Sequence, residues 1–571
     1  MPSQDMKLLY GVGDRVPLLT CVLQALQHVA VMAPPLVYPI LVLQAAGAGL
    51  ETTISVVSAS FIALGVGTML QCYPGRYIGS GFLLPFIFTA AYLPASLLAV
   101  KAGGMPLVVG MSLFAGAVQI ALGRIVPRAR WLFPAEISGL CITLIALVLA
   151  ILGIRLMFGG DLGHEWRNVA SLEVGIGIAV LALMIVLQIW GGRSLQTYAV
   201  IVSVSAGYLA SLIFGIIDRH ALASIAETRI FQLPQFSFSI PAFRADFAVP
   251  FAVAALACCL RAMGDLTMCQ KINNRDWVRP DFVSIQRGIF ADGLGTMISV
   301  LIGSVGGNTY STCVGLSSAT RITSRQIGFF IGLILICLAA FPKLLAVLVS
   351  VPKPIMGAAL VFTACFVLIN GLTIVVDRML DSRRIIVVGL ALTLSISRDV
   401  FPEFYTQLPT NIQPFVVSDL VIGVIAALSL NALFRLGIKQ RRSFACKPGP
   451  EAMEKVHSFL EEHGALWGAR RDVILRAVFG TLQTLEVVFE QMSDPQPVIV
   501  HATFDEYNLD ITISYVGRPI ELTEKRPSDS EILESEAGER RLAGYLIRRN
   551  ADRVAAVQDA SGTSVNLHFD H

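Results

Sequence analysis

Two stretches decide how this chain is read: residues 77–85, YIGSGFLLP, and residues 303–312, GSVGGNTYST. Each lies where a membrane-spanning helix is due, and each is interrupted by Gly, Pro or Asn. Around them the chain is strongly apolar, with 55% hydrophobic and 15% charged residues among 571 and a mean hydropathy of +0.69. A soluble globular chain carries about 25% charged residues, so a fully water-exposed fold is excluded. The charge is concentrated at one end: about 11% of residues 1–440 are charged, against about 27% of residues 441–571. The first part nets about +9 and the second about −6. Neither has a basic stripe, which argues against a nucleic-acid partner. The reading is a membrane domain over 1–440 joined to a small cytoplasmic α/β domain over 441–571.

A bilayer core about 30 Å thick needs about 20 apolar residues per helix. That ruler gives fourteen segments, from 16–43 to 413–434, with the third at 77–97 and the tenth at 308–320. Those two are the interrupted stretches, and each is third in its set of seven. Gly/Pro-broken segments at matching places in two halves indicate an inverted-repeat transporter. Seven spans per half make the second half enter with opposite topology. The loops test this independently. With the N-terminus cytoplasmic, about 20 basic residues fall inside (Arg124, Arg128, Arg130, Lys271, Arg275, Arg279, Arg287 and Arg378 among them) and about 9 outside, the positive-inside bias. Both termini are therefore expected in the cytoplasm. The N-terminal MPSQDMKLLYGVGDRVPLL has no signal-peptide pattern. Nine of the ten Cys lie in the apolar part without zinc or disulfide spacing, and read as reduced core thiols. No cofactor or metal is called for, and no enzyme motif is present.

The motifs ALQHVAVMAPPLV (25–37), GRYIGSGFLLPF (75–86), WLFPAEISG (131–139), RAMGDLTMCQKINN (261–274) and IQRGIFADGLGTMISVLIGSVGGNTYSTCVGLSSATRITSR (285–325) resemble the nucleobase–ascorbate transporter family, which includes the bacterial uracil and xanthine permeases. The resemblance covers roughly residues 7–436. It implies an all-α polytopic fold of two inverted seven-segment repeats with core and gate domains, in a bacterial inner membrane. It also implies a site between the half-helices of segments 3 and 10, coupling to a proton or sodium, contact with membrane lipid, and a homodimer through the gate domain. The expected cargo is a purine or pyrimidine base such as xanthine, urate or uracil.

The physics of such a site stands without the family. A broken span points unpaired backbone N–H groups and a helix dipole at the midplane, and irregular backbone survives there only where it lines a cavity. Gly79, Gly81 and Gly315 allow close backbone approach, or simply tight helix packing. The resemblance makes Phe82 the aromatic that stacks on a base, and draws Thr309, Ser311, Thr312 and Gly315 of the tenth segment into the substrate site. Two departures stand out. The resemblance leads one to expect an acidic residue at Arg261, four before Asp265, and an amide or acid followed by Asn at Thr312 and Cys313. An Arg only donates where a Glu would accept, so the hydrogen-bond polarity is inverted.

Arg261 has two readings: an intramembrane cation is a functional candidate by default, or it neutralises Asp265 one turn away. Asp265, Asp292 and His28 are the ion-coupling candidates. Asp292 in FADGLGT also suits a helix-packing role, and a lone His28 in an apolar span suits a structural hydrogen bond. Gln27, Asn308 and Glu136 are further buried polar candidates. The alternatives to a nucleobase permease are a carrier of small organic or inorganic anions on the same scaffold, and a membrane sensor that no longer transports.

The tail combines a helical stretch at about 451–491 with alternating runs, LDITISYVG and SVNLHFD, around a polar loop expected at 524–541. Residues 470–571 resemble the histidine-kinase-like ATPase fold in its anti-sigma-factor form. At the places where active members carry a Glu and an Asn stand Gly480 and Thr484. Tyr515 takes the place of the adenine-reading Asp, and Gly517 alone remains of a glycine pair. A degenerate regulatory module without ATP hydrolysis follows.

Overall fold

The computed structural model describes residues 8–125, 134–160, 171–217, 219–236, 239–274, 277, 280–376, 382–409, 412–434, 440–467, 469–492, 496–505, 508–523, 526–527, 536–559 and 562–570. Arg128, Arg130, Arg275, Arg279 and Arg378, used above for topology, lie outside the described residues. The chain divides into two compact units, Met1–Val375 with Ile386–Leu428, and Val376–Ile385 with Ser429–His571.

The membrane elements follow in order: α1 (Leu18–Val31), α2 (Val37–Ala45), α3 (Leu50–Cys72), β1 (Phe86–Phe88), α4 (Leu93–Ile125), α5 (Ala135–Met157), α6 (Ser171–Trp190), α7 (Arg193–Ile213), α8 (Arg219–Glu227), α9 (Ala248–Asn273), α10 (Phe282–Leu301), β2 (Gly307–Thr309), α11 (Ser311–Thr320), α12 (Arg325–Leu338), α13 (Pro342–Val349), α14 (Lys353–Val376), α15 (Ser382–Val400), α16 (Pro402–Thr406) and α17 (Asp419–Phe434). Among the described residues, six helices are long and apolar enough to cross a membrane. Two bent pairs do so together, α1 with α2 (52°) and α12 with α13 (87°). Pro34 and Pro35 interrupt the first pair and Pro342 opens α13, because proline removes a donor and crowds the preceding turn. α7, α10, α15 and α17 are shorter or more polar. Among the described residues, they and the two broken spans stand at the remaining positions of the fourteen segments expected from the sequence.

The breaks are more specific than glycine interruptions. β1 and β2 form an antiparallel ladder, Phe86↔Thr309, Ile87↔Asn308 and Phe88↔Gly307, every residue of it buried. Residues 77–85, expected at the start of the third span, are not helical. The helix begins at Leu93 and turns at Gly104, whose φ is +69°. The ladder satisfies backbone groups that lipid cannot, helped by Thr68 Oγ1 accepting from Phe86 N–H (3.1 Å) and Thr296 Oγ1 donating to Gly307 O (2.9 Å). Only glycine fits at position 307, since a Cβ would sit 2.4 Å from the Phe86 ring.

The two halves show their relation in glycine seams. A Cβ on Gly139 of α5 would lie 2.7 Å from Gly371 O of α14, and one on Gly357 of α14 would lie 2.5 Å from Gly153 O of α5. Gly139 and Gly357, and Gly153 and Gly371, are separated by the same sequence interval. Gly65 of α3 against Gly332 of α12 (2.7 Å) has its counterpart in Gly116 of α4 against Gly293 of α10 (3.0 Å). Without a hydrophobic drive inside lipid, small residues let helix backbones approach closely.

The second unit carries a sheet of order β3-β4-β5-β7-β6, antiparallel throughout: β3 (Gln440–Cys446), β4 (Val498–Phe504), β5 (Asn508–Tyr515), β6 (Arg553–Asp559) and β7 (Gly562–Asp570), with α18 (Pro450–Leu466), α19 (Arg471–Gln491) and α20 (Glu536–Asn550). Val500, Ala502, Ile511, Ile513, Val565, Leu567 and Phe569 point inward onto Val473, Ala477 and Val488 of α19, the alternation of a half-covered sheet. Trp467 stacks on Phe504 at 5.6 Å. The polar loop expected over 524–541 is corrected at its end: residues 536–541 begin α20. Its charges mask an apolar stripe that brings Ile547 into the core. Residues 524–525 and 528–535 lie outside the described residues.

Candidate functional site

The site grows from α9. Its spacing puts Arg261 and Asp265 on one face, one turn apart, and both are buried, each 7% exposed. They meet the chain just after β2. Arg261 Nε donates to Ser311 Oγ (3.3 Å), and Thr309 Oγ1 donates to Asp265 Oδ2 (2.7 Å), with the Ser311 hydroxyl on the same side as that carboxylate. The direct Arg261–Asp265 approach is long, 4.0 Å from Nε to Oδ2. The hydroxyl at the end of β2 therefore holds the carboxylate and the one at the start of α11 holds the guanidinium. The Arg261 Nη1 and Nη2 atoms have no hydrogen-bond partner among the described residues.

Asn308 closes the back of the ladder, its Nδ2 donating to Cys258 O on α9 (2.9 Å). Asp292 of α10 is fully buried, and among the described residues neither carboxylate oxygen makes a hydrogen bond of normal geometry. The Thr309 amide is the donor that faces it, with Asp265 and Arg261 the nearby charges. His28 ties α1 to α11, with Nδ1 on Gln24 O (2.8 Å) and Nε2 on Ser317 Oγ (3.2 Å).

The structure thus gathers Arg261, Asp265, Thr309 and Ser311, with Asp292 behind them. Thr312 and Gly315 lie on the exposed face of α11. Phe82 packs instead on the apolar cluster of Leu84, Cys259, Ala262, Leu266 and Val314. Gly79 (φ +88°) and Gly81 (φ +77°) serve the turn after α3, where the Ser80 and Gly81 amides bond Gln71 O (3.0 and 3.3 Å). Sequence reasoning missed Tyr38 and Tyr310, both buried and within electrostatic range of Arg261. Their signal was a Tyr at each break, in PPLVYP and in NTYST.

In the tail, Gly480 lies under Phe569, whose ring would be 3.4 Å from an added Cβ, and Thr484 Oγ1 donates to Gly480 O (2.7 Å). Tyr515 is buried with its hydroxyl donating to Arg518 O (2.9 Å). The three positions are occupied by packing and local hydrogen bonds.

Comparison with known proteins bears on the membrane domain. A family model described as "Permease family" (Xan_ur_permease) matches residues 19–404. The chain is 26% identical over 469 residues to xanthine permease XanQ of Escherichia coli (strain K12), covering 79% of this chain and 98% of that protein. It is 26% identical over 426 residues to uric acid permease PucJ of Bacillus subtilis (strain 168), covering 73% and 93%. Among solved structures it is similar in fold to the murine anion transporter Slc26a9, with a TM-score of 0.50 and 11% identity over 77% of this chain and 72% of that one. Two broken spans joined by a strand ladder, repeated glycine seams and the match over residues 19–404 agree: the chain is a multi-pass membrane transporter, not an enzyme, and belongs to the xanthine/uracil permease family.

Proposed function

We propose that this protein carries an oxopurine base, xanthine or urate, across the bacterial inner membrane by alternating access, with its termini in the cytoplasm. The observation that carries this reading is the buried Arg261–Ser311–Asp265–Thr309 network where two broken spans meet. It sets donors (a guanidinium and two hydroxyls) beside an acceptor carboxylate, the group types that a heterocycle with N–H and C=O edges requires. The names of the relatives, xanthine and uric acid permeases, support the choice of base. Arg261, Ser311 and Thr312 are the groups assigned to the substrate. Asp265 and Asp292 are assigned to a coupling proton, because both carboxylates are buried beside the site and Asp292 has no fixed hydrogen bond. The domain beyond about residue 440 is assigned a regulatory or docking role.

Uptake of labelled xanthine, urate and uracil into proteoliposomes, with and without a proton gradient, tests the reading. Oxopurine uptake that the gradient accelerates supports it. Uptake confined to unrelated anions, or none at all, rejects it.

A further inference from the structure

We propose that the domain beyond residue 440 docks on a second copy of itself, edge to edge through β6, so that two five-stranded sheets become one; this rests on the docking role assigned to that domain above and names its partner. The argument begins with an open edge. β6 is the last strand of the sheet, paired with β7 along its whole length, and among the described residues none of its backbone groups bonds to anything else. The outward N–H and C=O groups of such an edge are a template for another strand. Proteins usually blunt an edge with proline, a bulge or a very short strand. β6 has seven residues, no proline, and a register with β7 that runs unbroken from Arg553 to Asp559.

The sequence of the strand selects the occupant. Laid antiparallel on itself about Ala556, RVAAVQD sets Arg553 opposite Asp559, Val554 opposite Gln558 and Ala555 opposite Val557. The opposite charges meet once at each end of a self-complementary twofold contact, and no like charges face each other. Positions 553, 555, 557 and 559 share one face by the two-residue period, and Arg553, Ala555 and Val557 are exposed. On the other face Val554 and Ala556 are half buried at the margin of the domain core, so a strand laid alongside would extend that core.

The edge at the other end of the sheet does not match itself. Laid antiparallel about Ser443, β3 (QRRSFAC) sets Arg441 opposite Ala445 and Arg442 opposite Phe444, with two arginines from each copy and no acid between them. That edge carries the charge that discourages pairing, and β6 does not. A contact of one short strand pair is weak between free molecules. Two chains confined to one membrane meet at a high effective concentration, which suits a contact of this size.

The test is site-specific cross-linking of the full-length protein in membranes. Ala556→Cys lies on the twofold axis and should give a disulfide-linked dimer under mild oxidation, above the wild-type background from the exposed Cys337 and Cys365. Two differently tagged chains, one Ala555→Cys and the other Val557→Cys, should cross-link to each other, whereas Asn566→Cys, exposed on β7, should not cross-link to itself. Arg553→Asp should lower the Ala556→Cys yield about tenfold, because acid then faces acid at both ends. Asp559→Arg should do the same, and the two changes together should restore the yield. Cross-linking at 556 no stronger than at 566 overturns the proposal and passes the docking role to a different partner, as it would if the protein were dimeric through its membrane domain alone. A yield that ignores charge reversal, or a double swap that fails to restore it, also overturns the proposal. If Ala556→Cys does not fold, the exposed 555 and 557 pair and the charge swap decide alone.

Discussion

Thr309 donates its hydroxyl to Asp265 while its backbone pairs with Phe86, so one residue holds both the strand ladder and the carboxylate of the site. Thr309→Val keeps the shape and the ladder but leaves Asp265 short of a donor. A buried acceptor so orphaned costs about 1–3 kcal/mol, which a thermal shift of the purified protein should register together with weaker substrate binding. Thr309→Ser should restore both.

Gly307→Val should be among the most damaging single changes in the membrane domain. Its side chain must enter the Phe86 ring and lie against Ile87 O, 2.8 Å from the Cβ position. Overpacking of this kind costs about 1–3 kcal/mol or more. Size-exclusion chromatography in detergent should show aggregated or absent protein. Normal yield would mean the ladder tolerates a side chain on its axis.

The α5–α14 seam gives a paired expectation. Gly139→Val and Gly357→Val sit at symmetry-related positions, against Gly371 O and Gly153 O, and should lower the melting temperature by similar amounts, while Gly175→Ala, with open space around its Cβ position, should not. A large difference between the first two would separate the halves energetically.

For the tail, magnesium-ATP should not bind the full-length protein at micromolar concentration, because Gly480, Thr484 and Tyr515 are packed or locally hydrogen-bonded. Calorimetry reads this directly, and a saturable heat would return the domain to the nucleotide-binding class. Gly480→Glu should destabilise the domain rather than restore activity, since its side chain points into Phe569 and Leu567.

Much of this was legible before any coordinates. Span number, the two breaks and the i,i+4 placement of Arg261 with Asp265 follow from hydropathy and helical period, which depend on local sequence. What escaped the reading depends on distant partners. The β1–β2 ladder is three residues long in each strand, too short for an alternation signal, and exists because residues far apart in sequence meet. Phe82 sits in an aromatic-compatible motif, yet its direction is set by Leu266 and Val314 on other helices. Tyr38 and Tyr310 looked like ordinary apolar-span residues until packing brought them near the same guanidinium. The first turns of α20 were hidden because Glu and Arg dominate its window while its buried face is narrow.

The ladder also sets a timetable. Phe86, Ile87 and Phe88 find their strand partners only when residues 307–309 have been made. At about 5–20 residues per second, that is a wait of roughly ten to forty seconds on the ribosome. Until then the third span has backbone N–H and C=O groups that neither lipid nor its own helix can satisfy, apart from the Phe86 amide held by Thr68. The first half of the protein therefore lacks these backbone partners until the tenth span has been made.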